Sequence, residues 1–304
     1  MLNNHQKFNN EIKPGGFCEM HFLLKPYIDN NPFLKNVNVD FSVSSFNSDH
    51  DAIKITMWET TRLKLEEVKL INRCRVVFVP SVALMYIFSA SGITRPIEVF
   101  DGFIDDCYSY KPPIKKNKLV IGMGYSVNHL RKNQYFAIQC FQEAFKNIDD
   151  VELWIKTDET LDIKDDKIKI INGVLSKQQI VDWYEQIDVF YSTSRGEGIG
   201  MFNLQSMACG RPIITNNFLT VSDYANEYNS FIIPHSLVVP NGVVFGRQGL
   251  WAEMKKDDVI NTLHNVYYNR HLIEKKSENL SQQIDRYKAS VSIPKLIKKI
   301  EKYV

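Results

Sequence analysis

The chain has 304 residues, 44% hydrophobic and 24% charged, a composition ordinary for a globular protein with one large domain or two smaller ones. Its formal net charge of +2 gives no overall attraction to nucleic acid or to an anionic membrane. No apolar run of about 18 residues occurs and no apolar signal-peptide core follows the polar start MLNNHQKFNNE, so we expect a cytoplasmic protein without a membrane span. Five widely spaced cysteines without CxxC or Cys/His ligand spacing indicate reduced, mostly buried thiols and no zinc site.

The first 110 residues alternate short apolar runs with helix-like segments. The apolar runs predict strands over 36–43, 52–57, 75–80 and 97–100. Helical character is present over 17–28, 62–72 and 81–92, the last ending near Gly92. Residues 109–118 (SYKPPIKKNK) then break both periodicities with two prolines and four lysines, as a linker does.

The alternation is clearer after the linker. Strands are predicted over 119–123, 151–155, 168–171, 187–191, 212–215 and 231–234, and helix from about residue 255 to the end. A helix over 134–146 places its apolar residues on one face. Apolar strands separated by helices predict parallel sheets covered on both faces, hence two α/β domains with a cleft between them. We divide the chain into an N-terminal domain (1–110), a linker (111–118), a C-terminal domain (119–275) and closing helices (276–304).

Residues 194–214, SRGEGIGMFNLQSMACGRPII, carry the strongest chemical signal. Glycines at 196, 198 and 200 stand just before a predicted helix, where a bare backbone and the helix dipole favour a phosphate. Glu197 lies among them, and a carboxylate there accepts hydrogen bonds from sugar hydroxyls. A strand-to-helix turn that needs its glycines only for packing fits the spacing equally well.

The segment resembles the signature of retaining two-domain glycosyltransferases of the family-4 type, S-x-x-E-G-x-G-x-x-x-x-E-A-M-A-C-G-x-P-V-I. The matching residues are Ser194 (displaced), Glu197, Gly198, Gly200, Met207, Ala208, Cys209, Gly210 and Pro212. The resemblance implies an α/β fold of two Rossmann-like domains facing a cleft (GT-B type), with Glu197 holding the donor sugar. It also implies that residue 205 binds the ribose hydroxyls, but Gln205 replaces the family's acid there, which removes charge assistance.

Other segments extend the resemblance over residues 119–290. LRKNQYFAIQCFQEAF at 130–145 resembles the family's lysine-containing turn and helix, which implies that Lys132 contacts the diphosphate with help from Arg131. Ser126 stands where the family usually has an arginine, and Asp188 precedes the signature in a familiar place. The backbone N–H groups of Gly198, Ile199, Gly200 and Met201 complete the implied nucleotide site.

The N-terminal half resembles the family less closely. Gly15 and Gly16 resemble its glycine-rich loop near the donor phosphates, although a simple helix-start turn fits equally well. The usual apolar first strand is missing before them, so we expect a reduced N-terminal domain. Glu59 in TMWETTRL (56–63) is a candidate for contact with donor sugar or acceptor, whereas the cluster at 49–51 (Asp, His, Asp) reads as a solvated loop.

The resemblance implies transfer of a hexose or pentose from a UDP- or GDP-sugar to a hydroxyl acceptor, with retention and without a metal ion. Three alternatives stay open for acceptor and activity. The acceptor is a saccharide, or a hydroxymethylated DNA base whose phosphates meet the linker lysines 111, 115, 116 and 118. Alternatively, the chain is a homologue that binds a nucleotide or glycan without catalysis, as the Gln205 departure suggests.

Overall fold

A computed structural model of the chain describes residues 16–42, 51–126, 129–240 and 248–304, without the side chains of 16–18 and 129. Gly15 and the predicted Asp49 and His50 lie outside the described residues. Of the described cysteines, Cys74, Cys140 and Cys209 are buried, as the sequence predicts for most of them, and Cys107 is exposed.

The described N-terminal residues form a parallel sheet of four strands in the order β1-β2-β3-β4. These strands are β1 (Val39–Phe41), β2 (Ile53–Ile55), β3 (Val76–Val79) and β4 (Ile97–Val99). The helices are α1 (Gly16–Asp29), α2 (Leu65–Ile71) and α3 (Val82–Ala90). Each lies inside or close to a predicted segment. The first three strands are buried throughout because helices and the C-terminal half cover them.

The second sheet holds six parallel strands in the described residues. They are β5 (Leu119–Gly124), β6 (Val151–Thr157), β7 (Ile168–Asn172), β8 (Val189–Tyr191), β9 (Ile213–Thr215) and β10 (Ser230–Ile232). Their order is β10-β9-β8-β5-β6-β7, so the chain leaves β5 in one direction and later returns to its other side at β8. This order is that of a Rossmann fold, with its switch point between β5 and β8.

Helices cover this sheet as the periodicity predicts. Between its strands run α4 (His129–Lys132), α5 (Gln134–Ala144), α6 (Lys177–Gln186) and α7 (Met201–Ala208). Helix α7 ends at Gly210, whose φ of 78° is the left-handed conformation that closes a helix.

A short antiparallel pair was not predicted. It joins β11 (Ser236–Val238) to β12 (Trp251–Glu253). A three-residue strand is too short to show an alternating hydrophobic pattern in the sequence. Contacts with distant residues stabilise this pair, because Trp251 is buried in an apolar cluster with Trp58 and Leu63 of the N-terminal half.

The chain ends in α8 (Lys256–Tyr268), α9 (His271–Gln283) and α10 (Ala289–Ile300), with short 3-10 turns at Ile284–Tyr287 and Glu301–Tyr303. Helix α9 runs through the expected domain boundary at 275/276, and α10 returns to pack against α1. The hydroxyl of Tyr303 donates to Glu98 at 2.8 Å, and its ring meets Phe78 of the first sheet edge to face. One apolar cluster therefore spans both halves, from Met20 and Leu24 of α1 to Leu204 of α7 and Leu296 of α10.

Candidate active site

A cleft opens at the carboxyl ends of β5 and β8, where the connections diverge. It is lined by Gly124, Ser126, Lys132, Gln134, Ser192, Thr193, Glu197, Gly200, Phe202 and Asn203, among others. In a doubly wound sheet the switch point is where ligands bind, because diverging loops leave a crevice there. The predicted Lys132, Glu197 and Gly200 meet in this crevice, although 65 residues separate the first two in sequence.

Two helices begin at the cleft, and within the described chain neither start has a side-chain cap. Helix α7 begins after Gly200, whose φ is 80°, and α5 begins after Asn133, whose φ is 55°. The first N–H groups of a helix have no partner within the helix and attract negative charge. The cleft therefore has an arrangement suited to an anionic group.

A cluster of two acids and two bases stands at the edge of the cleft. The Lys132 ammonium donates to Glu197 Oε1 at 2.6 Å. Arg131 Nη1 lies 3.3 Å from Glu197 Oε2, and Arg131 Nε lies 3.0 Å from Glu59 Oε2. Arg131 also donates to the carbonyl of Gly196 at 2.6 Å. The charges balance within the cluster, so all four groups are held in place.

Burial differs within the cluster. The side chains of Arg131 and Glu197 are 7% and 8% exposed, whereas that of Lys132 is 20% exposed. Lys132 is thus the cation that a ligand in the cleft reaches, while Arg131 lies behind it and ties Glu59 to the glycine loop.

The pKa values of the two carboxyl groups, Glu197 and Glu59, are shifted in opposite directions. Burial acts to raise the pKa of Glu197, but the charges of Lys132 and Arg131 and the hydrogen bonds from Lys132 and Ser194 outweigh it and lower the pKa to about 2. For Glu59 burial dominates and raises the pKa, with Arg131 opposing it. Glu197 is therefore an anion at neutral pH that only accepts hydrogen bonds.

The glycines of the loop have different roles. A Cβ at Gly196 would collide with the carbonyl oxygen of Glu59, and one at Gly198 would collide with the side chain of Met57. These two glycines make room for the segment after β2, which is the packing role that the alternative expects of them. Gly200 combines a positive φ with close approach of the Tyr224 hydroxyl, and it lines the cleft.

Gln205 is not among the residues that line the described cleft, and both ends of its amide are engaged. Its Nε2 donates to Glu19 Oε2 at 3.0 Å, and its Oε1 accepts from the Tyr184 hydroxyl at 3.1 Å. Glu19 lies in the first turn of α1, so Gln205 connects α7 to the N-terminal half. Sequence reasoning missed Glu19, since no motif surrounds it.

The remaining predicted residues are placed as follows. Gly16 is the first residue of α1, Ile199 is buried with its carbonyl accepting from Tyr224, and Met201 begins α7. Asp51 pairs with Arg75, and Asp188 accepts from the backbone N–H of Val120 at 2.7 Å and so ties β8 to β5. Ser192, Thr193, Gln134 and Phe202 line the cleft without having been predicted. Their position after a strand or at a helix start was the available signal.

The linker lysines lie near the amino ends of the strands, whereas the cleft is at the carboxyl ends. Lys118 directly precedes β5, and among the acids that pair with the linker lysines Asp188 directly precedes β8 and Glu152 is the second residue of β6. The four pairs are Lys111–Glu185, Lys115–Glu274, Lys116–Asp188 and Lys118–Glu152. Each lysine thus has a carboxylate partner and none lies among the residues that line the cleft.

Part of the chain is similar to a known protein family. Residues 117–240 match the family model described as glycosyl transferases group 1. None of the curated protein sequences compared with the chain is significantly similar to it.

Solved glycosyltransferase structures share the fold at low identity. HepE of Anabaena, solved in complex with UDP-glucose, is 14% identical with a TM-score of 0.69, covering 95% of this chain and 97% of HepE. TarM of S. aureus, in complex with fondaparinux, alpha-GlcNAc-glycerol and UDP, is 13% identical with a TM-score of 0.68 over 93% of this chain and 58% of TarM. The pneumococcal O-GlcNAc transferase GtfA, in complex with UDP and GlcNAc, is 12% identical with a TM-score of 0.62 over 97% of this chain and 62% of GtfA.

These likenesses confirm the expected fold class, two Rossmann-like sheets in the GT-B arrangement. The chain spans less than two thirds of TarM and of GtfA. Among the described helices, none is long and apolar enough to cross a bilayer. The match over the C-terminal sheet and the shared fold together support a glycosyltransferase.

Proposed function

We propose that this chain transfers a sugar from a UDP-sugar to a hydroxyl group of a saccharide or similar acceptor, with retention and without a metal ion. The observation that carries the proposal is the Lys132–Glu197 pair in the switch-point cleft, beside the uncapped start of α7. UDP is favoured over GDP because HepE, TarM and GtfA were each solved with UDP or UDP-glucose. TarM with its glycan ligands favours a saccharide acceptor.

The donor diphosphate takes the place of Glu197 as partner of Lys132. In the described structure this ammonium is the more exposed cation of the cluster and faces the cleft. Together with the N–H groups at the start of α7, it stabilises the charge that develops on the leaving diphosphate. The positive charge for departure therefore comes from the chain, which is why we propose metal-independent transfer.

The donor sugar takes the place of Lys132 as partner of Glu197. Arg131 stays beside Glu197 when Lys132 moves to the diphosphate, and its charge continues to lower the pKa of Glu197, so the carboxylate accepts hydrogen bonds from sugar hydroxyls and orients the ring. Arg131 is a positioning residue, since it holds Glu197, Glu59 and the Gly196 carbonyl together. Glu59 is the second carboxylate of the site and lies within reach of the same guanidinium.

Nucleoside diphosphate release from a panel of UDP- and GDP-sugars, with saccharide acceptors and EDTA present, tests the proposal. We expect release with at least one UDP-sugar in the presence of EDTA, and a product of unchanged anomeric configuration. Inhibition by EDTA would contradict metal independence, and an inverted product would contradict retention. Donor binding without release from any sugar nucleotide would instead favour a binding protein without catalysis.

Two variants test the residues. Glu197→Gln keeps the shape but not the charge, and we expect kcat/KM to fall at least about 100-fold, the range for an essential electrostatic group. Lys132→Met should weaken both UDP binding and transfer. Lys118→Met, a paired lysine at the opposite end of the sheet, is the matched control and should retain full activity. Unchanged turnover in Glu197→Gln would overturn the assignment.

A further inference from the structure

A buried carboxylate oxygen beside α7 has no role in the proposed chemistry so far. Glu19 Oε2 accepts from Gln205 Nε2 at 3.0 Å, but Glu19 Oε1 is shielded from solvent and has no hydrogen-bond partner among the described residues. An acceptor left without a donor in a buried position destabilises the protein, and more so when it is charged. Such an atom is expected where a ligand supplies the missing donor.

The surroundings fix this carboxylate. The Tyr184 hydroxyl donates to Gln205 Oε1 at 3.1 Å, which turns the amide N–H₂ toward Glu19. Burial raises the pKa of Glu19, the charge of Lys177 and the hydrogen bond from Gln205 oppose this rise, and Asp105, the partner of Lys177, adds to it. Glu19 thus has one oxygen bonded to Gln205 and the other buried without a donor, and its orientation is set by a neighbour on another helix.

The location restricts what the ligand can be. Gln205 follows the first residue of α7, Met201, by four positions, about 6 Å along the helix axis. In a nucleoside diphosphate the ribose is joined to the first phosphate through a single CH₂ group. A diphosphate at the start of α7 therefore brings the ribose within about one helical turn, along α7 toward α1.

We propose that Glu19, oriented by Gln205, accepts hydrogen bonds from the vicinal ribose hydroxyls of the sugar nucleotide. The proposal rests on the proposed function above. A carboxylate and an amide side by side provide both an anionic acceptor and a neighbouring polar group for a cis-diol. The charge absent at Gln205 is then supplied by its hydrogen-bond partner on α1, and a second acid at 205 would instead repel Glu19.

Binding of UDP and 2′-deoxy-UDP to the full chain, measured by calorimetry, tests this. We expect the wild type to prefer UDP by about tenfold, the effect of one charge-assisted hydrogen bond. Glu19→Gln, which is nearly isosteric, should reduce the preference to about twofold or less, whereas Glu143→Gln on the exposed face of α5 should leave it unchanged.

A charge swap keeps the test informative if a single variant is destabilised. Gln205→Glu alone places two carboxylates together and should weaken UDP binding. The double variant Glu19→Gln/Gln205→Glu restores one acid and one amide, so the preference for UDP should return. An unchanged preference in Glu19→Gln with a lowered melting temperature would mean that the pair only ties α1 to α7. Equal binding of both nucleotides by the wild type would overturn the inference alone, while failure to bind UDP at all would overturn the proposed function.

Discussion

Arg131 holds the charged cluster of the candidate site together, because it contacts both Glu59 and Glu197. It is almost completely buried, yet it remains charged because Glu59 and Glu197 flank it. Removing one member of such a cluster leaves an unpaired buried charge, which typically costs about 3–5 kcal/mol. Replacing Glu197 with Ala would therefore mix loss of stability with loss of chemistry. The isosteric Gln is the better probe.

The pKa of Glu197 leads to a prediction about acid stability. Its pKa is about 2 in the folded protein against an ordinary 4.5, so its stabilising effect is complete above pH 4.5 and is lost as the pH falls toward 2. We expect about 2 kcal/mol of the stability difference between wild type and Glu197→Gln to disappear between pH 6 and pH 3. Urea unfolding at both pH values measures it. A difference that does not change with pH would mean that Glu197 is not held as an anion by Lys132 and Arg131.

At the scale of elements, the loop between β8 and α7 is shaped by the segment that follows β2. The strand β12 reinforces this contact, because the Trp251 indole N–H donates to the Glu59 carbonyl at 3.1 Å. The Leu250 N–H likewise donates to the Thr61 hydroxyl at 2.8 Å. The two halves therefore meet through backbone as well as side chains, directly behind Glu197.

Gly196→Ala tests this contact. The added methyl meets the backbone carbonyl of Glu59, which cannot rotate away, so we expect a loss of about 1–3 kcal/mol in unfolding free energy and reduced transfer activity. Gly102→Ala is the control, since its methyl meets the Ile199 side chain at 3.3 Å and its cost should be smaller. Equal losses in the two variants would argue against a special close approach at Gly196.

At the scale of the whole molecule, the last helix joins the two halves. Leu296 on α10 is 1% exposed and belongs to the cluster that contains α1, β1 to β3 and α7. Side chains from the end of the chain thus complete a core that begins at residue 20. We infer that the N-terminal sheet depends on α10 for its stability.

Leu296→Ala should therefore cost about 2–5 kcal/mol, the range for a large-to-small change in a core. Leu237→Ala, at a site 49% exposed, should change the unfolding free energy by less than about 0.5 kcal/mol. Urea unfolding followed by circular dichroism compares them. A small loss for Leu296→Ala would show that α10 packs loosely.

The charge distribution predicts how the whole chain behaves with DNA. Since each of the four linker lysines has a carboxylate partner and lies at the end of the sheet opposite the cleft, their positive charge is offset and attracts phosphates only weakly. We expect duplex DNA, including hydroxymethylated DNA, to bind with a Kd weaker than about 100 µM at physiological salt and to serve as no acceptor. Sugar transfer to hydroxymethylated bases would contradict this expectation.

The local hydrophobic pattern of the sequence predicted most of the strands and helices. Apolar runs such as 119–123 and 151–155 predicted buried strands, and the face of the 134–146 helix predicted α5, because burial imposes these periods on neighbouring residues. The glycine-rich turn after residue 194 likewise indicated where a strand passes into a helix. These features depend on residues close in sequence.

Tertiary structure alone decided what those residues touch. It brought Glu59, Arg131, Lys132 and Glu197 into one charge-balanced cluster, assigned Gly196 and Gly198 to chain packing, and paired Gln205 with Glu19 across 186 positions. It also paired the linker lysines with acids far along the chain. No local pattern encodes such contacts, because they arise only when the sheet order brings distant strand ends and helix starts together.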